Sequence, residues 1–299
     1  MLAGLASALT AHAGLPSTKA RAEPPMHTRL IASINEPLPV IGVGTWQTFD
    51  IPDEPAAMAE RREVLETLFA AGGRVIDSSP MYGRAEAVVG TLLRRMGARD
   101  KAFLATKVWT TGEAAGIAQM RASAEKLAAP VIDLMQIHNL VDWRTHMRTL
   151  RRKKDKGTFR TIGVTHYTTA AFDELMAIMR SEPIDFVQIP YSLAVRDAEA
   201  SLLPLALERR IGVIPNRPFD GANMFRRVAG RDLPGWAGEL DAQSFGQLFL
   251  KYLLGHPAIA CVIPGTAKAA HMRDNVAAGF GRLPDEPLRT RIRRWWDAL

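Results

Sequence analysis

A carboxylate, a phenol, an ammonium and an imidazole stand where short apolar runs of the chain end. Asp77 closes the run at residues 74–77, and Tyr82 follows in the turn beyond it. Lys107 closes residues 103–107, and His138 closes residues 134–138. A charged group at the end of a buried strand adds nothing to core packing. In parallel α/β proteins the loops after the strand C-termini are where chemistry is placed. A strand-end lysine taken alone is an ordinary surface charge, and a lone histidine an ordinary structural residue. Four titratable groups in consecutive units point instead to acid–base chemistry at one rim.

The elements that must position them follow from periodicity. Eight short runs are apolar and β-branched without strict alternation: residues 40–44, 74–77, 103–107, 134–138, 161–165, 186–189, 212–215 and 260–264. That pattern fits strands covered outside by helices and filled inside by side chains. Between them lie helical patterns, at residues 57–70, 85–96, 116–128, 143–156, 170–180, 198–209 and 244–254. Two more follow the last run, at 269–278 and 288–298. Gly72-Gly73 ends the first helix. Eight alternating units predict an α/β fold, a single-domain (β/α)8 TIM barrel. A doubly wound sheet is the alternative, but no G-x-G-x-x-G precedes the first helix. Residues 27–39, with the turn Asn35-Glu36-Pro37, predict a small hairpin. The connection at 217–241, rich in Gly and Pro, reads as a long binding loop after strand 7.

The segment Asp77-Ser78-Ser79-Pro80-Met81-Tyr82-Gly83-Arg84-Ala85-Glu86 resembles the signature of the aldo-keto reductases, an Asp, a Tyr-Gly and a Glu on the next helix. Ala105-Thr106-Lys107 and Gln136-Ile137-His138 extend the likeness, which covers residues 40–278. It implies a catalytic tetrad of Asp77, Tyr82, Lys107 and His138. It implies reduction of a small aldehyde or ketone by hydride from reduced nicotinamide, with Tyr82 donating the proton. A tyrosine titrates near 10; a neighbouring lysine is expected to lower that value. Asp77 would fix Lys107, and His138 would orient the carbonyl oxygen.

The same likeness implies a cofactor site. Gly44, Thr45 and Trp46 would approach the nicotinamide, and Thr165, His166 and Gln188 would hold its carboxamide, His166 standing where the family has Asn. Asn216 and Arg217 occupy the place of the family's stacking aromatic, where the guanidinium plane can stack or meet the pyrophosphate. Pro264, Gly265, Thr266, Lys268, His271, Asp274 and Asn275 match the adenosine-phosphate site, a strand end running into a helix N-terminus. Two cations of the family's NADPH users are replaced by Gly265 and His271. Lys268 remains, with Arg226, Arg227 and Arg273 behind it, so NADPH is expected over NADH by a modest margin. Trp46 and Trp109 would line the substrate pocket. No metal is implied.

The composition sets bounds. The 299 residues carry a net charge of +7 and are 47% hydrophobic, enough for a large core. The basic run Arg151–Lys154 reads as a solvated helix face rather than a nucleic-acid patch. The single cysteine, Cys261, sits in an apolar run and cannot form an internal disulfide. Residues 1–25 join a short apolar stretch to Ala20-Arg21-Ala22, a cleavage-site pattern, and read as a signal peptide; no stretch spans a bilayer. A cofactor-loaded enzyme would be exported folded to the periplasm by the twin-arginine route, although the twin arginine is absent; a cytoplasmic enzyme is the alternative. A monomer with a small carbonyl substrate is expected. Rival functions on the same barrel are a nucleotide-binding regulatory subunit and a lyase using Lys107 as a Schiff-base amine.

Overall fold

The computed structural model describes residues 25–299. Apart from Pro25, the expected leader lies outside the described residues.

The chain opens on the expected hairpin, β1 (Thr28–Ile31) and β2 (Glu36–Pro39), antiparallel. Asn35 takes positive φ in its turn, as a short polar side chain tolerates. Seven parallel strands then pair in chain order. They are β3 (Val43–Gly44), β4 (Val75–Asp77), β5 (Phe103–Val108), β6 (Ile132–His138), β7 (Phe159–Thr165), β8 (Phe186–Pro190) and β9 (Gly212–Asn216).

The expected eighth strand is an extended segment, residues 259–265, joined to both edges by isolated bridges rather than by a ladder. Val262 exchanges hydrogen bonds with Val40 and Gly42, at 2.9 Å each. On the other side Val213 donates to Ala258 O at 3.0 Å and accepts from Ala260 N at 2.8 Å. The pairing is short because β3 has only two residues and Pro264 has no N–H to give. Gly44 lets the edges meet: a Cβ there would sit 2.8 Å from Ile263 O. The sheet thus closes as a (β/α)8 barrel.

Ten α-helices surround or follow it: α1 (Pro55–Ala70), α2 (Ala85–Met96), α3 (Glu113–Lys126), α4 (Trp143–Asp155), α5 (Phe172–Ser181), α6 (Leu202–Arg209), α7 (Asn223–Arg227), α8 (Phe245–Leu254), α9 (Ala269–Ala277) and α10 (Glu286–Asp297). The helix expected over 198–209 is split, because Ser201 leaves helical geometry between a 3-10 turn and α6. The expected long loop at 217–241 is largely ordered into α7 and two 3-10 turns, Asp220–Ala222 and Gly235–Leu240. Met224, Val228, Ala237 and Leu240 bury themselves there. Phe225 reaches Phe249 of α8, ring centroids 5.8 Å apart. Glycines and prolines hid these short turns from any periodicity, since each spans less than two helical turns.

Two cores result. Strand residues of one parity, among them Ile76, Leu104, Met135 and Val187, pack outward against the helices. The other parity, Val75, Phe103, Ala105, Leu134, Phe186 and Ile214, fills the barrel with Ile31 and Leu38 of the hairpin. The hairpin plugs the strand N-terminal end, where Glu36 pairs with Arg74 (2.8 Å) and with Arg160. Side chains alternate along a strand. Continuing the inward set upward therefore reaches Asp77, Lys107, Gln136, His138, Thr165, Gln188 and Asn216.

The basic run of α4 is matched by acids: Arg151 pairs with Glu182 at 3.4 Å, Arg152 with Glu113 and Lys154 with Asp185 at 2.7 Å. Cys261 is free and buried, and burial pushes its thiol far above the ordinary range. No helix of the described residues is long and apolar enough to cross a membrane.

Candidate active site

The parity argument brings three of the four sequence-picked groups into the top layer of the barrel, and the β4–α2 turn brings the fourth. Lys107 is fully buried. Its Nζ donates to Asp77 Oδ2 and to the Ser78 carbonyl, both at 2.7 Å. The other oxygen of Asp77 accepts from two amides below it, Gln188 Nε2 at 3.0 Å and Gln136 Nε2 at 3.2 Å. The carboxylate is therefore held on both sides. Burial works against the Lys107 charge, but the Asp77 carboxylate and Tyr82 outweigh it, and its pKa ends above the ordinary lysine value. A Schiff-base amine must lose its proton to attack a carbonyl. This pair keeps the proton on, so the geometry opposes the lyase alternative.

Tyr82 overhangs the pair, with Lys107 Nζ 5.0 Å from its ring centroid. The turn that carries it depends on Gly83, whose φ of +60° favours a residue without Cβ. A Cβ there would also run into the Asp50 carboxylate. Asp50 in turn accepts from the Arg84 amide (3.0 Å) at the start of α2, a favourable place for an anion. The expected lowering of the tyrosine pKa is not what the structure gives. Burial raises it, Lys107 pulls it back and Asp77 raises it further, so the net shift is upward. Desolvation of a phenolate beside an already neutralised lysine outweighs the attraction of that lysine.

His138 stands edge-on to Tyr82, ring centroids 5.9 Å apart, and 6.3 Å from the ring of Trp109. Burial, then Lys107 and His166, lower its pKa to about 3. It is a neutral imidazole at ordinary pH. Ser79 Oγ lies 3.0 Å from its Nδ1.

Around this centre the mouth is apolar and open. Trp46, Met81, Trp109 and Tyr167 follow the ends of β3, β4, β5 and β7 and are all exposed. Trp109 is fixed at its backbone by Gln119, which accepts from its N–H (2.5 Å) and donates to its carbonyl (3.2 Å). Tyr167 stacks on His166 at 5.4 Å. Met81, Tyr167, Ser79, Gln136 and Gln119 were not picked out from the sequence. Inward parity could have found Gln136, and a place just past a strand end could have found Met81 and Tyr167. Ser79 and Gln119 left no signal beyond adjacency.

The remaining sequence-picked residues lie at the same rim. Thr45 donates to Asp77 O (2.9 Å) and to Ser78 Oγ (3.0 Å), bracing the turn from β3. Thr165 donates to Gln188 Oε1 at 3.3 Å, so both ends of the Gln188 amide are already engaged. His166 Nδ1 accepts from Thr168 N at 3.2 Å. Asn216 donates to His166 O at 3.0 Å, while its Oδ1 is buried without a partner. Arg217 pairs with Asp220 at 3.6 Å.

Pro264, Gly265 and Thr266 lead into α9, whose N-cap is Lys268. Thr266 Oγ1 accepts from Lys268 N at 3.1 Å. The Lys268 side chain is exposed and, among the described residues, unpaired, as His271 is exposed on the first turn. Asn275 is buried. Asp274 turns away to brace α8, accepting from Ser244 Oγ (2.8 Å) and Gln247 Nε2 (2.7 Å). Of the arginines behind, Arg227 lies over the Trp296 ring at 4.5 Å, and Arg226 bonds Asn223. Among the described residues no cluster of His, Cys, Asp or Glu could hold a metal ion.

A closed (β/α)8 barrel with a buried Asp–Lys pair under a tyrosine and a neutral histidine defines a barrel oxidoreductase. The family model for the aldo/keto reductase family matches residues 40–290, and the chain belongs to that family. It is 30% identical over 189 residues to aldo-keto reductase YhdN of Bacillus subtilis. That match takes in 57% of this chain and spans about half of the relative, 55%. It is 27% identical over 248 residues to methylglyoxal reductase YeaE of Escherichia coli, 80% of this chain and 85% of that one. Among solved structures it resembles an aldo/keto reductase from Klebsiella pneumoniae in complex with NADP and acetate. The TM-score is 0.77 at 25% identity, over 91% of this chain and 95% of that one.

Proposed function

We propose that this protein reduces a small aldehyde or ketone to the alcohol, with NADPH as preferred cofactor and Tyr82 as proton donor. The observation that carries the reading is the convergence of Tyr82, His138 and the Lys107–Asp77 pair at one open, apolar mouth. The bound dinucleotide supplies the hydride. The chain supplies the rest. His138, neutral, can donate one N–H to the carbonyl oxygen and hold it beside the phenol. Tyr82 delivers its proton as charge grows on that oxygen. The Lys107 cation stabilises the phenolate left behind, and Asp77 keeps that cation in place. Trp46, Met81, Trp109 and Tyr167 exclude water from one side and favour a carbonyl with an apolar body.

The residues present fit a dinucleotide. The buried Asn216 Oδ1 lacks a donor, which an amide group of a ligand would supply. The first amides of α9 have no side-chain cap, which leaves them able to receive an anion beside Lys268. The Klebsiella pneumoniae neighbour binds NADP, which supports this reading.

The test is direct. Tyr82→Phe should lower kcat by about a hundredfold or more, with the Kd of the cofactor, followed by its fluorescence, nearly unchanged. A phenylalanine variant that keeps most of its kcat would remove Tyr82 from the role. Lys268→Ala should raise KM for NADPH by roughly tenfold and leave NADH alone. Equal kcat/KM for the two cofactors in the unaltered protein would show that no 2′-phosphate site exists at Lys268.

A further inference from the structure

Ser79 is buried and its hydroxyl touches His138, one of the two groups that must present a hydrogen to the substrate. A neutral imidazole carries a single N–H, on Nδ1 or on Nε2, and the partner of one nitrogen decides which. Only the Nε2–H form can donate to a carbonyl oxygen in the mouth, because Nδ1 points at Ser79. Nε2 itself has no protein partner among the described residues.

Counting donors and acceptors resolves the choice. The Ser79 oxygen already accepts from the Met81 amide, at 3.4 Å. Its own hydrogen needs an acceptor, and His138 Nδ1 is the one acceptor bonded to it among the described residues. If Nδ1 carried the hydrogen instead, the Ser79 proton would be sealed in the protein without a partner. A buried donor left unmet disfavours that tautomer. Burial, with the Lys107 cation beside it, keeps the ring from taking a second proton, so the two tautomers are the only states in play.

We propose that Ser79 is a positioning residue that locks His138 in the Nε2–H tautomer, so that the imidazole donates to the substrate oxygen instead of accepting. This rests on the carbonyl-reductase reading for its consequence, but the tautomer itself does not depend on it. The β4–α2 turn then has two functions. It sets Tyr82 over Lys107, and through Ser79 it sets the hydrogen on His138, so both donors to one oxygen are prepared by one short turn.

The test has a spectroscopic arm and a kinetic arm. In protein labelled with 15N at histidine, the ring signals missing from His138→Gln identify His138. They are expected to show a pyrrole-type Nε2 and a pyridine-type Nδ1. In Ser79→Ala the two nitrogens should move toward averaged shifts, as both tautomers become populated. In the same variant kcat for aldehydes should fall by about tenfold, with the cofactor Kd unchanged. Ser79→Thr, which keeps the hydroxyl, should recover the Nε2–H pattern and most of kcat. A pyrrole-type Nδ1 in the unaltered protein would overturn the proposal even if the enzyme reduces aldehydes well. So would an alanine variant with unaltered ring shifts. If no carbonyl is reduced at all, the reading of function fails while the nitrogen spectrum still decides on Ser79.

Discussion

Tyr82 has to keep its proton until the substrate oxygen needs it, and the surroundings are arranged for that. Burial raises its pKa above 10 and Lys107 only partly reverses the rise. The protonated phenol is the form that reduces, so activity in that direction should be lost only as pH rises through a value above 10. The reverse reaction needs the phenolate and should grow over the same alkaline range. His138, with a pKa of about 3, adds no inflection near neutrality. Lys107 stays charged beyond the ordinary lysine range. A plot of log kcat/KM for reduction against pH should therefore be flat from about 6 to 9. A break near 7 in that plot would mean that a different group gives the proton. Of these four residues the sequence showed the identity and the order, because three end strands and Tyr82 follows in the turn after the first of them. It did not show the sign of the tyrosine shift. That sign depends on how deeply the phenol is covered and on the Asp77 charge that already answers Lys107, and neither is a property of spacing.

At the scale of elements, short turns do more positioning than the strands. The strands fix parity, which is why Asp77, Lys107 and His138 were legible and why the eight strand-like runs and most helix bounds were too. The eighth strand was legible as an apolar run but not as a bridged segment, because the weakness lies in its partner, the two-residue β3. The ordered segments at 217–241 and the amide cradle of Gln136 and Gln188 under Asp77 were missed, since their contacts join residues far apart in the chain. The β4–α2 turn gives a sharp test. Gly83 takes a left-handed conformation next to Tyr82, and the Asp50 carboxylate fills the space where a Cβ would go. Gly83→Ala should cost about 1–2 kcal/mol from backbone strain alone. It should also lower kcat more than the stability loss accounts for, because Tyr82 moves with the turn. Urea unfolding and steady-state kinetics on the same preparation would measure both. Loss of stability with unchanged kcat would show that the turn does not set the tyrosine.

Taken as a whole molecule, the barrel carries a buried histidine at its catalytic rim and a half-buried one at the opposite end, and this links its stability to pH. His138 sits at the catalytic rim with a pKa of about 3. His256 lies past α8, its Nδ1 accepting from Ala258 N at 3.2 Å. Burial, with Arg289 beside it, lowers its pKa to about 4. Both values fall below the 6.5 of an unfolded histidine. The unfolded chain therefore binds more protons between those limits, and stability rises with pH there. The contribution is complete above 6.5. It is lost as pH falls, through about 4 for His256 and about 3 for His138. While both groups take up a proton only on unfolding, the slope is roughly 2.7 kcal/mol per pH unit, twice the single-proton value. The window from about 5 to 6 isolates this term, because carboxylates with lowered pKa values, such as Glu199, begin to protonate only further down. His256→Gln should halve the slope of unfolding free energy against pH in that window and leave carbonyl reduction intact. His138→Gln should halve it equally but also lower kcat, since it removes the donor to the substrate oxygen. The double variant should be nearly flat between 5 and 6. A slope that survives both substitutions would place the acid sensitivity elsewhere in the molecule.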